Sequence, residues 1–205
     1  MKKKPNPLAY YLTAGALLAI AAFGFPIGRV GLGNSSTRRK GVNPDYFSLF
    51  YDYDDLTRSE TAQTLGVSNS PNLVQVENAR RFAQTVLDPI ATFIGEAPQI
   101  NSWFRSSQVN ANIPGSSNSS DHLDASAADV TLKDGNNNYL IVRAILTKNL
   151  PVDQIILYGG LGGKQYIHLG QDIKRSLDDQ RMQILEKVPG GYASVSENVA
   201  ATYFL

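Results

Sequence analysis

Two histidines are all the chain has, and both stand beside short apolar runs. One lies in Ser120-Asp121-His122-Leu123-Asp124, ahead of Ala127-Ala128-Asp129; the other lies in Tyr166-Ile167-His168. Two neutral imidazoles and a carboxylate are a donor set used by three-coordinate zinc sites that keep a fourth position open for water. Water held there can ionise near neutral pH and attack a carbonyl. His122, Asp129 and His168 are therefore the candidate metal ligands, and Zn2+ the candidate ion. A chain with one surface and one core histidine would show the same count, so the chemistry depends on the three side chains meeting at one point.

The elements around them must make that meeting. His122 and Asp129 are seven residues apart, and an odd separation puts two side chains on opposite faces of a single strand. A turn is needed between them, and Leu123-Asp124-Ala125-Ser126 supplies small and polar residues for it. Residues 127–132 then read as a strand, with Asp129 pointing away from the side of Ala128 and Val130. Strands are also expected at Gln99 to Phe104, Gln154–Tyr158 and Gln165–Leu169, the last two joined through Gly159-Gly160-Leu161-Gly162-Gly163 as a hairpin. Thr57-Arg58-Ser59-Glu60 reads as a capping box opening a helix that stops at Gly66. A second helix starts near Pro71 and buries Leu73, Val76, Ala83, Val86, Leu87, Ile90 and Ile94, with Pro89 kinking or breaking it. A third runs over Tyr139 to Leu150. The Ser- and Asn-rich stretch from Ser106 to Asp121 reads as loop. The fold class is α+β, a small antiparallel sheet with flanking helices.

Several ordered motifs carry a resemblance. Ser120, His122, Ala127 and Asp129 match the pattern SxHxxGxAxD, with Ala125 where that pattern usually has glycine. Asn101-Ser102-Trp103-Phe104-Arg105-Ser106 is similar to a TSGYRS strand, and Asn110 falls where an Asn is next expected. Val152-Asp153-Gln154-Ile155-Ile156 is similar to FDQLI, and Tyr166-Ile167-His168 to W-x-H. Together these resemble the M15 family of zinc peptidases, in its phage and bacterial D-Ala-D-Ala carboxypeptidase-like branch, from about Tyr46 to about Arg181. The resemblance implies a hedgehog/DD-peptidase-like fold and hydrolysis of peptidoglycan stem peptides. It also implies that Arg105 and Ser120 bind the substrate's carboxylate or backbone, a task for which a guanidinium has bidentate geometry.

One departure stands out. The family places a Glu or Asp close before its last histidine as general base, yet no acidic residue occurs between Asp153 and Asp172. The positions where the base is expected hold Tyr158 and Gln165. Glutamine accepts no proton, and a phenol with a pKa near 10 is a poor base at neutral pH. Loss of a positioned base costs on the order of 10²–10⁴-fold in rate. Asp121 and Asp124 are the nearby acids that could substitute. Two readings stay open: a working peptidase, or an M15-fold structural or cell-wall-binding component of a virion or envelope assembly.

Composition sets the frame. With 19 basic and 18 acidic residues the net charge is +1, so no field is built to attract nucleic acid, and no nucleic-acid partner is expected. The chain has no cysteine, which removes disulfides and thiolate ligands together. Residues 5–28 contain no charge, and residues 8–25 are long and apolar enough to span a bilayer or to serve as a signal segment. The expected organisation is an anchor or signal at 1–28, a flexible linker at 29–44, an M15-like domain at 45–190 and a tail at 191–205. Peptidoglycan peptides, a membrane reached through residues 8–25, and other virion or envelope proteins are the expected partners. The soluble domain would then face the periplasm or cell exterior, or belong to a phage virion.

Overall fold

The computed structural model describes residues 48–204. Six strands form one sheet: β1 (Gln99–Ser102), β2 (Ala127–Thr131), β3 (Gln154–Tyr158), β4 (Tyr166–Gly170), β5 (Gln183–Val188) and β6 (Gly191–Ser194), ordered β1-β2-β4-β3-β5-β6. All neighbours pair antiparallel except β3 and β5, which run parallel. The sheet is thus mixed rather than purely antiparallel. A parallel pair needs a crossover connection, and the chain from β4 to β5 supplies it through residues 171–182.

Alternation sorts the two faces. Ala128, Val130, Ile155, Leu157, Ile167, Leu169 and Ile184 join one core with the helical residues Phe82, Val86, Leu87, Ile90, Ile141 and Ile145. Asp129, Ile156 and His168 fall on the other face, which leaves polar groups a side of the sheet not occupied by that core. The core side is covered by α3 (Leu73–Phe82), α4 (Asp88–Ile94) and α6 (Tyr139–Lys148).

Short helices α1 (Tyr53–Thr57) and α2 (Glu60–Leu65) precede them. The capping box expected at Thr57 lies elsewhere: Thr57 ends α1, whose box is Asp52 with Asp55, and Ser59 alone caps α2 by accepting from Ala62 N–H. Gly66 closes α2 in the left-handed region, as its lack of a Cβ favours. Pro89 does not break the second helix. Residues Ala83–Leu87 form a π-helical turn between α3 and α4, and the wider turn absorbs a proline that has no N–H and would crowd the carbonyl four residues back. Leu73, expected inside, is 88 % exposed because it sits at the first turn, beyond the edge of the core.

The stretch before His122 is not all loop. Ser106 caps α5 (Ser107–Ala111), and buried Asn110 donates to the Ser117 carbonyl at 2.9 Å, folding the segment back on itself. Residues 191–204, expected as a tail, carry β6 and α7 (Glu197–Phe204), with Ala200 and Phe204 in the core. Among the described residues no helix is long and apolar enough to cross a membrane; the apolar segment 8–25 and the linker 29–44 lie outside them.

Candidate metal centre

Register brings the first two candidates together. Asp129 on β2 is the direct cross-strand partner of His168 on β4, and such partners share a face. His122 arrives from a 3₁₀ turn, Asp121–Asp124, that ends at Ala125 with φ 60° and ψ 18°. This is the turn demanded by the odd spacing between His122 and Asp129. It explains the usual glycine in the motif, since the left-handed region penalises a Cβ; Ala125 adopts it fully buried. Trp103 holds the turn from the side, its indole N–H donating to the Ala125 carbonyl at 2.9 Å.

The Trp103 carbonyl also fixes the first imidazole. His122 Nδ1 lies 2.6 Å from it, and a carbonyl can only accept, so Nδ1 carries the proton and Nε2 faces the centre with its lone pair. Burial pushes the His122 pKa down, against the attraction of Asp129, which keeps the ring neutral. Burial opposes the charge of Asp129, but the charge and hydrogen bond that an imidazole brings when protonated, His122 first and then His168, pull its pKa well below the carboxylate range. Arg105 seals the ionised state, pairing through Nη2 with Asp129 Oδ2, while its Nε donates to Ser102 Oγ at 2.8 Å. The remaining oxygen, Oδ1, is turned toward the histidines.

The three ligand atoms then form a triangle. His122 Nε2 to His168 Nδ1 is 3.2 Å, His168 Nδ1 to Asp129 Oδ1 is 2.9 Å, and His122 Nε2 to Asp129 Oδ1 is 3.3 Å. A tetrahedral ion with bonds of about 2.0–2.1 Å needs ligand atoms about 3.3 Å apart. The chemistry of the triangle asks for a cation as well. His168 Nδ1 can hold one proton and satisfy one neighbour, so the bare His122 Nε2 and the ionised Asp129 Oδ1 confront each other without a hydrogen between them. A divalent ion at the centre resolves that confrontation, and the donor set fits it.

The other expected site residues are placed less uniformly. Tyr158 stands on the same face as His168, at the end of β3 opposite Tyr166. Gln165 lies just before β4, exposed at the hairpin, where its backbone N–H donates to the Tyr158 carbonyl at 3.0 Å and its Cγ packs over Gly159. Ser120 precedes the 3₁₀ turn and makes no side-chain cap bond. Arg105 is buried with two of its nitrogens committed to Asp129 and Ser102. It orients a ligand, which differs from the free bidentate clamp expected of it. Asp121 Oδ2 and His168 Nε2 both face the position where Gly170 lacks a side chain, 3.2 and 3.4 Å from an ideal Cβ there. Asp121 therefore lies behind His168, on the ring edge away from the triangle. Burial raises its pKa to about 6, with His168 working the other way.

Sequence reasoning missed three positioning groups. Trp103 entered only as part of a strand motif, although the chain's single tryptophan beside Arg105 was a signal of a fixed ring. Asn69 donates to the carbonyls of Thr57 and Phe104 and accepts from Ser106 N–H, clamping the backbone on either side of Arg105. Asn138, fully buried, accepts from Leu132 N–H and donates to the Gly163 carbonyl, tying the end of β2 to the hairpin. Neither asparagine has a local pattern that reveals a partner dozens of residues away.

A family model described as peptidase M15 matches residues 50–170, more than half of the chain. The chain belongs to the peptidase M15 family. No curated protein matches it. M15 peptidases are usually zinc-dependent, and the His122-Asp129-His168 cluster lies within the matched M15 region, as a possible metal site in a zinc peptidase-like fold.

Proposed function

We propose that the protein is a zinc-dependent hydrolase of the M15 type that acts on amide bonds in peptidoglycan stem peptides. The observation that carries this reading is the triangle of His122 Nε2, Asp129 Oδ1 and His168 Nδ1, with edges of 2.9–3.3 Å, inside a domain of that family. Zinc bound there supplies a Lewis acid for an amide carbonyl and acidifies water. The chain's own residues do the rest. Trp103 and Arg105 hold His122 and Asp129 in place, and Asp121 stands at the outer edge of His168, as a carboxylate that orients a ligating imidazole would. Ser120, at the mouth of the 3₁₀ turn, offers a hydroxyl to the substrate backbone. Residues 8–25 would hold the domain at a membrane facing the periplasm or cell exterior; membership of a phage virion is the other placement consistent with such a domain.

A second reading is favoured by Tyr158, which occupies the site face where the family's acid is expected. Without a base, the fold would bind wall peptides and release them uncut. Purified disaccharide-peptides from bacterial wall, incubated with zinc-loaded protein and with chelator-treated protein, separate the two. Zinc-dependent release of a peptide or amino acid supports hydrolysis. Saturable binding with no product after prolonged incubation rejects it in favour of the binding component.

A further inference from the structure

Beside the ligand triangle, the open face of the sheet carries a row of tyrosines that the metal chemistry does not use. Tyr166 lies two residues before His168 on β4, about 7 Å along the same face. It pairs directly with Tyr158 on β3, and their rings stack at 4.2 Å with 16° between planes. Tyr158 Oη lies 3.5 Å from Tyr192 Oη on β6, and Lys187 on β5 sets its ammonium 4.2 Å above the Tyr192 ring. Lys187 and Tyr192 are themselves cross-strand partners. The row thus crosses four strands, about 14 Å at ordinary strand spacing.

Three features describe what would lie on it. Tyr192 is 48 % exposed, so aromatic surface is open. The phenol–phenol contact is long for a hydrogen bond between hydroxyls, so both groups retain capacity for another partner. Tyr166 and Tyr158 lie on β4 and β3, whose backbones are paired on both sides, so an extended peptide over those two rings finds no edge to join; Tyr192, on β6, stands at the edge of the sheet. A pyranose ring needs no edge. Its C–H face stacks on an aromatic ring, its hydroxyls meet phenols, and a carboxylate on the sugar meets the lysine.

We propose that Tyr166, Tyr158, Tyr192 and Lys187 form a saccharide-binding platform beside the metal-ligand triangle, so that the preferred substrate is a glycopeptide rather than a free stem peptide. This deepens the hydrolase reading and rests on it for the word substrate; the binding itself does not depend on turnover. The test uses the full chain with chelator present, titrated calorimetrically with the β-1,4-linked trimer of N-acetylglucosamine and, separately, with a sugar-free stem peptide. The trimer is expected to bind saturably, and Tyr192→Ala to weaken it about three- to tenfold, the scale of one aromatic contact. Tyr192→Phe, which keeps the ring, retains most of the affinity. Lys187→Ala weakens a carboxylate-bearing saccharide more than the neutral trimer. Absence of saturable trimer binding overturns the proposal. So does equal affinity in Tyr192→Ala, or a Tyr192 dependence seen with the peptide instead of the sugar. Because nothing is cleaved in this assay, an inactive protein that binds the trimer leaves the platform standing, and an active one that ignores it removes only the platform.

Discussion

Asp129 is the side chain on which the centre balances, because it is buried, ionised and shared between Arg105 and two histidines. Removing one partner from a buried pair leaves an uncompensated charge, a cost of about 3–5 kcal/mol. Arg105→Ala should therefore lower the unfolding free energy of metal-free protein by about that amount. Free zinc at about 100 times the wild-type Kd adds about 2.7 kcal/mol to the wild-type native state, and at that same concentration the variant, whose Asp129 lacks its guanidinium, should bind the ion more tightly. The variant should then recover more stability from zinc than the wild type does, read as the larger rise in Tm. Equal rises would remove Arg105 from the centre's charge balance. The base position gives a second residue-scale expectation. Gln165 is exposed at the hairpin, outside β4, with its Cγ turned over Gly159, so Gln165→Glu should leave turnover of wall peptides unchanged. Tyr158→Glu puts a carboxylate on the site face and should raise turnover by about 10²-fold or more if a missing base limits the rate. A gain from Gln165→Glu and none from Tyr158→Glu would reverse this assignment.

At the scale of elements, the 3₁₀ turn and β2 deliver the ligands, and the turn depends on Ala125. Relief of left-handed strain by Ala125→Gly, about 1–2 kcal/mol, is offset by a lost buried methyl of about 0.8 kcal/mol and by a more flexible unfolded chain. Stability should change by less than about 1 kcal/mol, with zinc affinity retained. Ala125→Val instead forces a β-branched residue into that conformation within a closed core, and should unfold the turn and abolish zinc binding in a chelator-competition assay. Retained affinity in Ala125→Val would show that the turn is not what positions His122. Much of this level could be read from residues alone. The alternation around Asp129, the β3–β4 hairpin and the need for a turn after His122 all follow from period-two patterning. What could not be read was non-local. Pro89 looks like a helix breaker until a π-helical turn is available, and the exposure of Leu73 depends on where the core ends. The parallel pairing of β5 with β3 has no signature in either strand.

For the whole molecule, the return from β4 to β5 decides whether the sheet closes correctly, and one acid holds it. Asp153 is 1 % exposed and receives Arg181 through its backbone N–H and its guanidinium, at 2.5–3.1 Å. Flanking backbone bonds from Gln171 to Ser126 and from Met182 to Val152 pin the same loop to the strands that carry the site. Burial opposes the Asp153 charge, but the hydrogen bonds and charge of Arg181 hold its pKa below the usual value. A carboxylate with a depressed folded pKa contributes stability that is full above its unfolded pKa of about 3.9 and is lost as pH falls through the folded value. Metal-free protein should accordingly lose Tm steeply below about pH 4. Asp153→Asn keeps the shape but removes the charge. It should cost about 1–3 kcal/mol at neutral pH, since half-exposed Arg181 can turn to water. Its fall in Tm with acid should be shallower, the remainder coming from Asp129, whose pKa is also held down. Thermal unfolding from pH 7 to pH 3 in the presence of chelator measures both slopes. Parallel curves for the two proteins would mean that Asp153 titrates alike in folded and unfolded chains, and that the crossover is held by packing instead of by this ion pair.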